Sequence, residues 1–280
     1  LANSDQFAIR NFANPEVNVG GRPTGVANAS DNTRSMNQTM PIIAAFRSSV
    51  ITGFVRNDVD GEGLSDLLLL LESAGEKRLG YWIMDGATIR RTSSVAVDAS
   101  YRIVATGDFN GDDRLDIVWA GGQRDLRLWL GNGTSFGTHA IGTYPLGWEV
   151  IGAGDVDDDG KSDLLLRFAS TTHNRFGYWI MDGAAVKRTW SIATSGEYRV
   201  AATGDFDGDG HLDIVWTSDR RDLKLWLGTG TSFGASRLID TYPQGWEVFG
   251  AGDINGDDKS DLLLRFASSS QNRFGYWLMN

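Results

Sequence analysis

The sequence predicts an all-β fold, a β-propeller of four-stranded blades, from two observations. An acidic nine-residue motif recurs five times, with starts separated by 50, 47, 50 and 48 residues. The chain between the motifs consists of short runs rich in Val, Ile, Leu, Trp, Tyr and Phe, separated by Gly, Asp, Asn and Ser. No segment keeps a helical period over about 11 residues. Four short strands per unit of roughly 40 to 50 residues are typical of a propeller blade, whereas a parallel β-helix needs shorter repeats.

The repeats are of two kinds, which alternate along the chain. Copies one, three and five continue as "DLLL" and then "GYWIMDG" or "GYWLMN". Copies two and four continue as "DIVW" and then "DLRLWLGNGTSFG" or "DLKLWLGTGTSFG". One unit of about 48 residues therefore fills the chain from about residue 46 onward, and it defines a propeller domain over 39–280. Residues 1–38 carry no acidic motif, and we expect an N-terminal extension there or a degenerate sixth blade.

The acidic motif has the pattern D-x-[DN]-x-[DE]-x-x-x-D, with a Gly at position six in copies one, three and four. Side-chain oxygens at positions one, three, five and nine and the carbonyl of position seven can converge on one point. Oxygen-only coordination of this kind is what a hard cation such as Ca²⁺ prefers. A sharp turn with positive φ is expected at position six, where Asp113 and Asp258 replace Gly in copies two and five.

Five calcium sites follow from the five motifs, one for each copy. An EF-hand would need a carboxylate at position 12, where this chain has Leu or Trp, so each loop closes early and leads directly into a strand. The predicted ligands are Asp58, Asp60, Glu62, Leu64 and Asp66; Asp108, Asn110, Asp112, Arg114 and Asp116; Asp155, Asp157, Asp159, Lys161 and Asp163; Asp205, Asp207, Asp209, His211 and Asp213; and Asp253, Asn255, Asp257, Lys259 and Asp261.

The charge of the chain supports bound calcium. The ligand positions hold 18 of the 36 acidic residues, and five Ca²⁺ would cancel the formal net charge of −10. Asp and Gly are also ordinary turn residues, so five solvated turns are the alternative interpretation. Recurrence of the same ligand spacing in every unit favours the metal.

The units resemble FG-GAP repeats, also called VCBS repeats, which build the propeller of integrin α-subunits and of many secreted bacterial and fungal proteins. The resemblance covers about residues 46–280. It implies a calcium ion in the hairpin between the first and second strands of each blade, where the five acidic motifs fall. Propellers of that family usually have seven blades, whereas five motifs in 280 residues predict five. The resemblance leaves the function open, because such propellers serve as adhesion modules, lectins and enzyme appendages.

The two ends of the chain predict how the ring closes. The sequence stops at "GYWLMN", which matches the third strand of unit three, so unit five lacks a fourth strand. The segment "PIIAAF" (41–46) stands at the same spacing before Asp58 as "SRLIDT" (236–241) stands before Asp253. We therefore expect a strand over 41–46 to complete the fifth blade and to cover its exposed edge.

Composition restricts the partners and the compartment. The longest apolar run, Leu67 to Leu71, is far below the roughly 20 residues of a membrane-spanning helix. A net charge of −10 argues against nucleic acid, and the absence of Cys rules out disulfides and thiolate metal sites. With no initiator Met or hydrophobic leader, the chain reads as a mature or excised protein. We expect it to be secreted or on the cell surface, with the periplasm as a further option.

Signals for catalysis are weak. "GTSFG" at 133–137 and 230–234 fits G-x-S-x-G, but the nucleophile elbow needs a strand, a sharp turn and a helix. Its double occurrence in a strand-rich repeat predicts a hairpin turn instead. The three histidines, His139, His173 and His211, fall at unrelated places in their units. The sequence therefore favours a binding protein, with an accessory or catalytic propeller of a polysaccharide-degrading enzyme as the alternative.

The linkers "TYPLGWE" (143–149) and "TYPQGWE" (241–247) are the candidate ligand sites. They recur 98 residues apart between blades, on the face expected to lie opposite the acidic loops. Aromatic rings beside polar groups suit sugar rings, so Tyr144, Trp148, Tyr242 and Trp246 are predicted to bind a glycan or another extracellular ligand. Packing between blades is the alternative role for these aromatic residues and the expected role for most of the ten Trp.

Overall fold

A computed structural model describes residues 18–19, 22–23, 57–73, 76–170, 174–267 and 272–279. Within these ranges the chain forms twenty strands and no helix, which confirms the predicted all-β class. The first two strands, β1 (Asn18–Val19) and β2 (Arg22–Pro23), form a short antiparallel pair. The remaining strands form five antiparallel sheets, the blades of a propeller. The segment 41–46, and with it the predicted closure of the ring, lies outside the described residues.

Strands follow one another in each blade in chain order. Blade one contains β3 (Leu67–Ser73), β4 (Glu76–Asp85) and β5 (Thr88–Ala96). Blade two contains β6 (Arg102–Gly107), β7 (Asp116–Ala120), β8 (Asp125–Gly131) and β9 (Phe136–Thr143). Blade three contains β10 (Trp148–Gly154), β11 (Asp163–Ala169), β12 (Asn174–Asp182) and β13 (Ala185–Thr194). Blade four contains β14 (Tyr198–Gly204), β15 (Asp213–Ser218), β16 (Asp222–Trp226) and β17 (Arg237–Thr241). Blade five contains β18 (Trp246–Gly252), β19 (Asp261–Ala267) and β20 (Asn272–Trp277).

Burial changes from the inner to the outer strands of a blade. All five residues of β7 and all six of β15 are buried, because a propeller blade packs on both faces against its neighbours. The outer strands β5 and β13 are almost entirely exposed. The inner strand β6 lies against β10 of the next blade, and β14 lies in the same way against β18.

Two kinds of interface alternate among the four blade interfaces that the described residues form. Between blades one and two, Tyr81, Trp119 and Trp129 pack with Phe136, and the interface of blades three and four repeats this set as Tyr178, Trp216, Trp226 and Phe233. The other two interfaces use the connecting segments. Tyr144, Trp148 and Trp179 pack between blades two and three, and Tyr242, Trp246 and Trp277 pack between blades four and five. The recurring aromatic residues therefore build the interblade core.

Candidate metal centres

The five acidic loops lie at the same end of their blades. In blade three, for example, β10 ends at Gly154 and β11 begins at Asp163, and these two residues are paired in register. The loop 155–163 therefore connects the inner strand to the second strand. The loops of blades two, four and five occupy the same place, and the loop 58–66 leads directly into β3.

The aspartate at position one organises each loop by accepting backbone N–H groups. In loop two, Asp108 accepts from Gly111 at 2.7 Å, from Asp112 at 3.1 Å and from Asp113 at 2.7 Å. Asp58, Asp205 and Asp253 make the corresponding three bonds in loops one, four and five. Such a nest of amides fixes the turn and aims the carboxylate at the loop centre.

Two positions of each loop adopt positive φ. At position six the prediction is confirmed, with φ of 61° at Asp113 and 67° at Asp258, where Gly stands in the other loops. Position four, which the sequence analysis did not single out, is also left-handed: Gly61, Gly111, Gly208 and Gly256 have φ of 76° to 81°. Loop three has Asp158 there, at φ of 57°. Asp tolerates this region better than most residues, which explains the exception.

The aspartate at position nine is the buried anchor of each loop. One oxygen of Asp163 accepts the N–H of Val156 at 3.0 Å, and the other accepts the N–H of Met181 at 2.8 Å. All five copies make this pair of bonds, which ties the loop to the chain that leads out of the third strand. The anchors are Asp66, Asp116, Asp163, Asp213 and Asp261, each 3% exposed or less.

Burial raises the pKa of four anchors, Asp66, Asp116, Asp163 and Asp213. Desolvation raises the pKa of Asp116 and of Asp163 to about 7 and that of Asp213 to about 6, with smaller increases from the neighbouring aspartates of each loop. The backbone N–H bonds to each anchor lower the pKa but do not outweigh burial. The same desolvation raises the pKa of Asp66 and of Asp155. A metal-free loop therefore holds its negative charge at a cost that a cation would offset.

Positions one, three and nine come together in three loops. The groups Asp58, Asp60 and Asp66, then Asp155, Asp157 and Asp163, and then Asp205, Asp207 and Asp213 each offer carboxylate oxygens within 4.8 Å of one another. In loops two and five, position three is an amide, Asn110 or Asn255, so these loops have one charge fewer.

Three buried oxygens of these groups lack a hydrogen-bond partner. They are Oδ1 of Asp60, Oδ1 of Asp155 and Oδ1 of Asp157. A buried carboxylate oxygen without a donor is costly, and such atoms in a native structure call for an ion or water. Because the free oxygens belong to an oxygen-only donor set, the residues present fit Ca²⁺. Calcium, when bound, would supply charge neutralisation and rigidity to the hairpin.

The other two predicted ligand positions have different surroundings. At position five, Asp112, Asp159, Asp209 and Asp257 accept the N–H of position seven in their own loops at 2.9 to 3.1 Å. Glu62 instead forms an ion pair with Arg90 of β5. Position five is thus outside the three-carboxylate groups. At position seven four of the five residues are basic, and the guanidinium of Arg114 lies 3.4 Å from Asp112 of its own loop.

Adjacent loops are linked to each other by contacts that the motif spacing does not predict. The N–H of Leu115 donates to the carbonyl of Asp58 at 2.7 Å, and those of Ser162 and Ser260 donate to Asp108 and Asp205 at 2.5 Å. A position-eight amide of one loop thus binds position one of the loop before it. The basic side chains of position seven also contact the preceding loop. Arg114 lies over Gly61, Lys161 over Gly111 and Lys259 over Gly208. Nδ1 of His211 lies 2.7 Å from Asp158.

The linked loops surround a cavity of about 630 Å³. Its lining includes Asp58, Asp108 and Asp155 from position one and Arg114, Lys161 and His211 from position seven. His211 meets Asp158 of the loop before it. The charged ends of Arg114 and Lys161, which lie over the preceding loops, instead pair with Asp112 and Asp182 of their own blades. Alternation of charge therefore reduces the repulsion between carboxylates that the sequence predicts. A run of basic residues at position seven, from the second copy onward, was the sequence signal for this arrangement.

The predicted glycan contacts lie at the opposite end of the blades. Trp148 pairs in register with Phe168 at the end of β10 far from Asp163, and their rings lie 5.7 Å apart. Trp246 and Phe266 repeat this contact. Both tryptophans are half-buried.

Their tyrosine neighbours are buried. Tyr144 is 7% exposed and Tyr242 is 3% exposed, and the Tyr242 hydroxyl lies 3.1 Å from Oγ1 of Thr217. The N–H groups of Tyr144 and Tyr242 donate to the carbonyls of Arg124 and Arg221 at 3.1 Å. The structure thus brings the tryptophans to this face and places the tyrosines beneath it.

The repeated "GTSFG" segments form turns, as predicted. Residues 132–135 connect β8 to β9, with the N–H of Asn132 donating to the carbonyl of Ser135 at 3.1 Å. In blade four the N–H of Thr229 donates to Ser232 at 3.0 Å. Neither turn leads into a helix, so the nucleophile-elbow geometry is absent from these described segments. His211 contacts Asp158, and His173 lies outside the described residues.

These features define the protein as a β-propeller whose blades carry acidic hairpin loops. A family profile described as FG-GAP-like repeat matches residues 58–119, 108–166 and 205–264, more than half of the chain, and the chain belongs to this family. No individual curated protein matches the sequence at a significant level.

Two solved structures are similar to the chain. One is a mutant of AofleA from Arthrobotrys oligospora, at 14% identity and a TM-score of 0.48, covering 81% of this chain and 67% of that one. The other is the Dos1 propeller, at 10% identity and a TM-score of 0.39, covering 79% of this chain and 59% of that one. Among the described residues there is no helix with the length and apolarity needed to cross a membrane.

Proposed function

We propose that the protein is a secreted, calcium-stabilised β-propeller that serves as an extracellular binding module. The observation that supports calcium is the set of buried, unpartnered oxygens on Asp60, Asp155 and Asp157, which lie within three-carboxylate groups. Hydrogen bonds from the backbone already satisfy the position-nine anchors. The oxygens left without a partner lie at position three of loop one and at positions one and three of loop three, and a divalent cation fits between the carboxylates there.

The loops should differ in affinity. Loops one, three and four offer carboxylates at positions one, three and nine, whereas loops two and five offer an amide at position three. Fewer ligand charges generally weaken Ca²⁺ binding. We therefore expect three tighter and two weaker calcium sites, with Kd values toward the roughly 10⁻⁴ to 10⁻³ M of extracellular modules.

Isothermal titration calorimetry of the metal-free protein with CaCl₂ tests this proposal. The expected result is heat from at least three sites, with MgCl₂ giving little, because Mg²⁺ demands an octahedral geometry. The matched control is a triple variant, Asp60→Asn, Asp157→Asn and Asp207→Asn, which gives every loop the amide of loops two and five. Absence of calcium heat in the parent protein would contradict the proposal, and unchanged heat in the variant would contradict the assignment of position three.

The second part of the proposal concerns the ligand, a carbohydrate or another extracellular partner. Its support is the aromatic surface at the end of the blades opposite the loops, where Trp148 and Trp246 remain half-buried, each two residues after an exposed side chain, Leu146 or Gln244. Tyr144 and Tyr242, which are buried below this surface, would fix the conformation of the two linkers. Single aromatic sites bind weakly, so several sites on one surface would be needed for useful avidity.

A glycan array probed in CaCl₂ and in EDTA tests the ligand class. Calcium-dependent binding to particular glycans supports the proposal, since the metal holds the blades that present the surface. Trp148→Ala and Trp246→Ala should reduce the signal without changing the calorimetric calcium sites. An array with no bound glycan would contradict the carbohydrate assignment while leaving the calcium proposal intact.

A further inference from the structure

Trp190 differs from every other tryptophan in the chain. All ten lie in described segments, and Trp190 is the only exposed one, with 38% of its surface accessible. It is also the one tryptophan that does not recur from unit to unit. It stands on β13, the outer strand of blade three, at the rim of the interface with blade four. Core packing therefore does not account for it.

The indole of Trp190 is supported from below. Its ring stacks on that of Tyr178, its cross-strand partner, at 5.1 Å and an interplanar angle of 28°. Tyr178 is 3% exposed, and its hydroxyl donates to the carbonyl of Thr231 in blade four at 3.2 Å. One face of the indole is thus held by a fixed ring, while 38% of the Trp190 surface remains accessible to solvent.

Blade one provides a matched comparison, because its rim is built the same way without the tryptophan. Tyr81 occupies the place of Tyr178, and its hydroxyl donates to the carbonyl of Thr134 at 2.7 Å. The cross-strand partner of Tyr81 is Ser93. The tyrosine contact therefore forms equally well opposite a serine, and the fold does not require an aromatic residue at this place.

A cationic side chain lies beside Trp190. Arg188 is two residues earlier on β13 and faces the same side of the strand, about 7 Å away along the chain. Its counterpart in blade one, Arg91, donates to the carbonyl of Gly133 at 2.7 Å. Arg188 has no ion pair or hydrogen bond among the described residues, and it is exposed. Its guanidinium is therefore available to a bound molecule.

We propose that Trp190 and Arg188 form a binding site for a pyranose ring on the rim of blade three. The C–H face of the sugar stacks on the indole, and the guanidinium donates to ring hydroxyls or to the carboxylate of a uronic acid. Aromatic faces with an adjacent donor suit this chemistry, and one sugar ring spans the distance between the two side chains. The inference rests on the proposed carbohydrate binding and places a site outside the predicted linkers.

Saturation-transfer-difference NMR tests the site with methyl β-D-galactopyranoside, methyl β-D-glucopyranoside and methyl β-D-glucuronide. The parent protein in CaCl₂ should saturate the ring protons of at least one of them, and Trp190→Ser, which restores the blade-one residue, should reduce that signal to the level contributed by the linker sites at Trp148 and Trp246. Arg188→Ala should weaken binding about tenfold, with the largest loss for the glucuronide. The melting temperature of Trp190→Ser confirms that the variant is folded.

The reverse substitution keeps the test decisive. Ser93→Trp builds the stacked pair in blade one, and we expect it to add a second, weaker site, because Arg91 there is already bonded. Equal signals from the parent and Trp190→Ser would overturn this site but leave carbohydrate binding elsewhere possible. No signal from any of the three glycosides with the parent protein would also overturn it, whereas the glycan array tests the wider proposal independently.

Discussion

Loops two and three share one backbone design but differ in charge at their centres. Asp116 and Asp163 are both fully buried, both accept two backbone N–H groups, and burial raises the pKa of both to about 7. At position three, however, loop two has Asn110 and loop three has Asp157 with a buried, unpartnered oxygen. The hairpin therefore forms without a carboxylate at position three. We infer that position nine serves the fold and position three serves the metal.

The largest expected effect tests the structural half of this comparison. Asp163→Ala and Asp116→Ala each leave two buried N–H groups without an acceptor, which should destabilise the protein by about 3 kcal/mol or more. Because the bonds are to the backbone, the loss should be seen in EDTA as well as in CaCl₂. Urea denaturation followed by tryptophan fluorescence measures it. A variant as stable as the parent in EDTA would show that position nine matters only to the metal.

The pH dependence of the metal-free protein should reveal the same anchors. Their folded-state pKa values, about 7 for Asp116 and Asp163, exceed the unfolded value near 4, so the folded state binds more protons between these limits. Stability in EDTA should therefore fall as the pH rises from about 4 to 7, by several degrees in melting temperature. In saturating CaCl₂ the decline should shrink, since calcium binds the ionised form. A metal-free melting temperature that rises over this range would contradict the raised values.

Exchanging position three between the loops tests the metal half of the comparison. Asn110→Asp gives loop two the acid set of loop three, and Asp157→Asn gives loop three the amide of loop two. The first should tighten calcium binding and the second should weaken it, each by about tenfold, or about 1.4 kcal/mol in CaCl₂. In EDTA the order of stability should reverse, with Asp157→Asn more stable than the parent and Asn110→Asp less stable, because an extra carboxylate then only adds repulsion. Parallel melting curves in the two buffers measure both effects, and shifts of the same sign in both would count against the assignment.

The smallest expected effect concerns the link between these two loops. The Oγ of Ser162 in loop three accepts the N–H of Asp108 in loop two at 3.1 Å, and Ser162 is 5% exposed. Ser162→Ala removes this acceptor and should cost about 1 kcal/mol. The loss should be similar in EDTA and in CaCl₂, because the backbone bond from Ser162 to the Asp108 carbonyl remains. Calorimetric calcium affinities that drop sharply in this variant would instead show that the link couples the two sites.

The sequence was sufficient for the class of fold and for the place of the loops. Ligand spacing repeated in five units predicted where each hairpin lies, and the Gly at position six of three copies predicted positive φ at Asp113 and Asp258, which replace it in the other two. The left-handed residue at position four was equally visible as a repeated Gly. Asp158 in loop three obscured that pattern.

Contacts between units could not be predicted from the sequence. Nothing in a single motif shows that the amide of Ser162 reaches the carbonyl of Asp108, because that bond depends on how two blades pack. The same limit applies to the linkers, where Tyr144 and Trp148 are close in sequence but differ in burial. Trp190 shows the converse case. Its lack of a counterpart in other units was apparent in the sequence, but its exposure and its stacking on Tyr178 required the fold.

Thermal unfolding in EDTA and in millimolar CaCl₂ tests the central claim, calcium stabilisation of the loops, most directly. For a Kd of roughly 10⁻⁴ M, about 1 mM free calcium is about 10 times Kd and adds about 1.4 kcal/mol for each site that binds only the folded state. Three sites of this kind should raise the melting temperature by several degrees. MgCl₂ at the same ionic strength controls for general salt effects. Melting temperatures that coincide in EDTA, MgCl₂ and CaCl₂ would contradict the account.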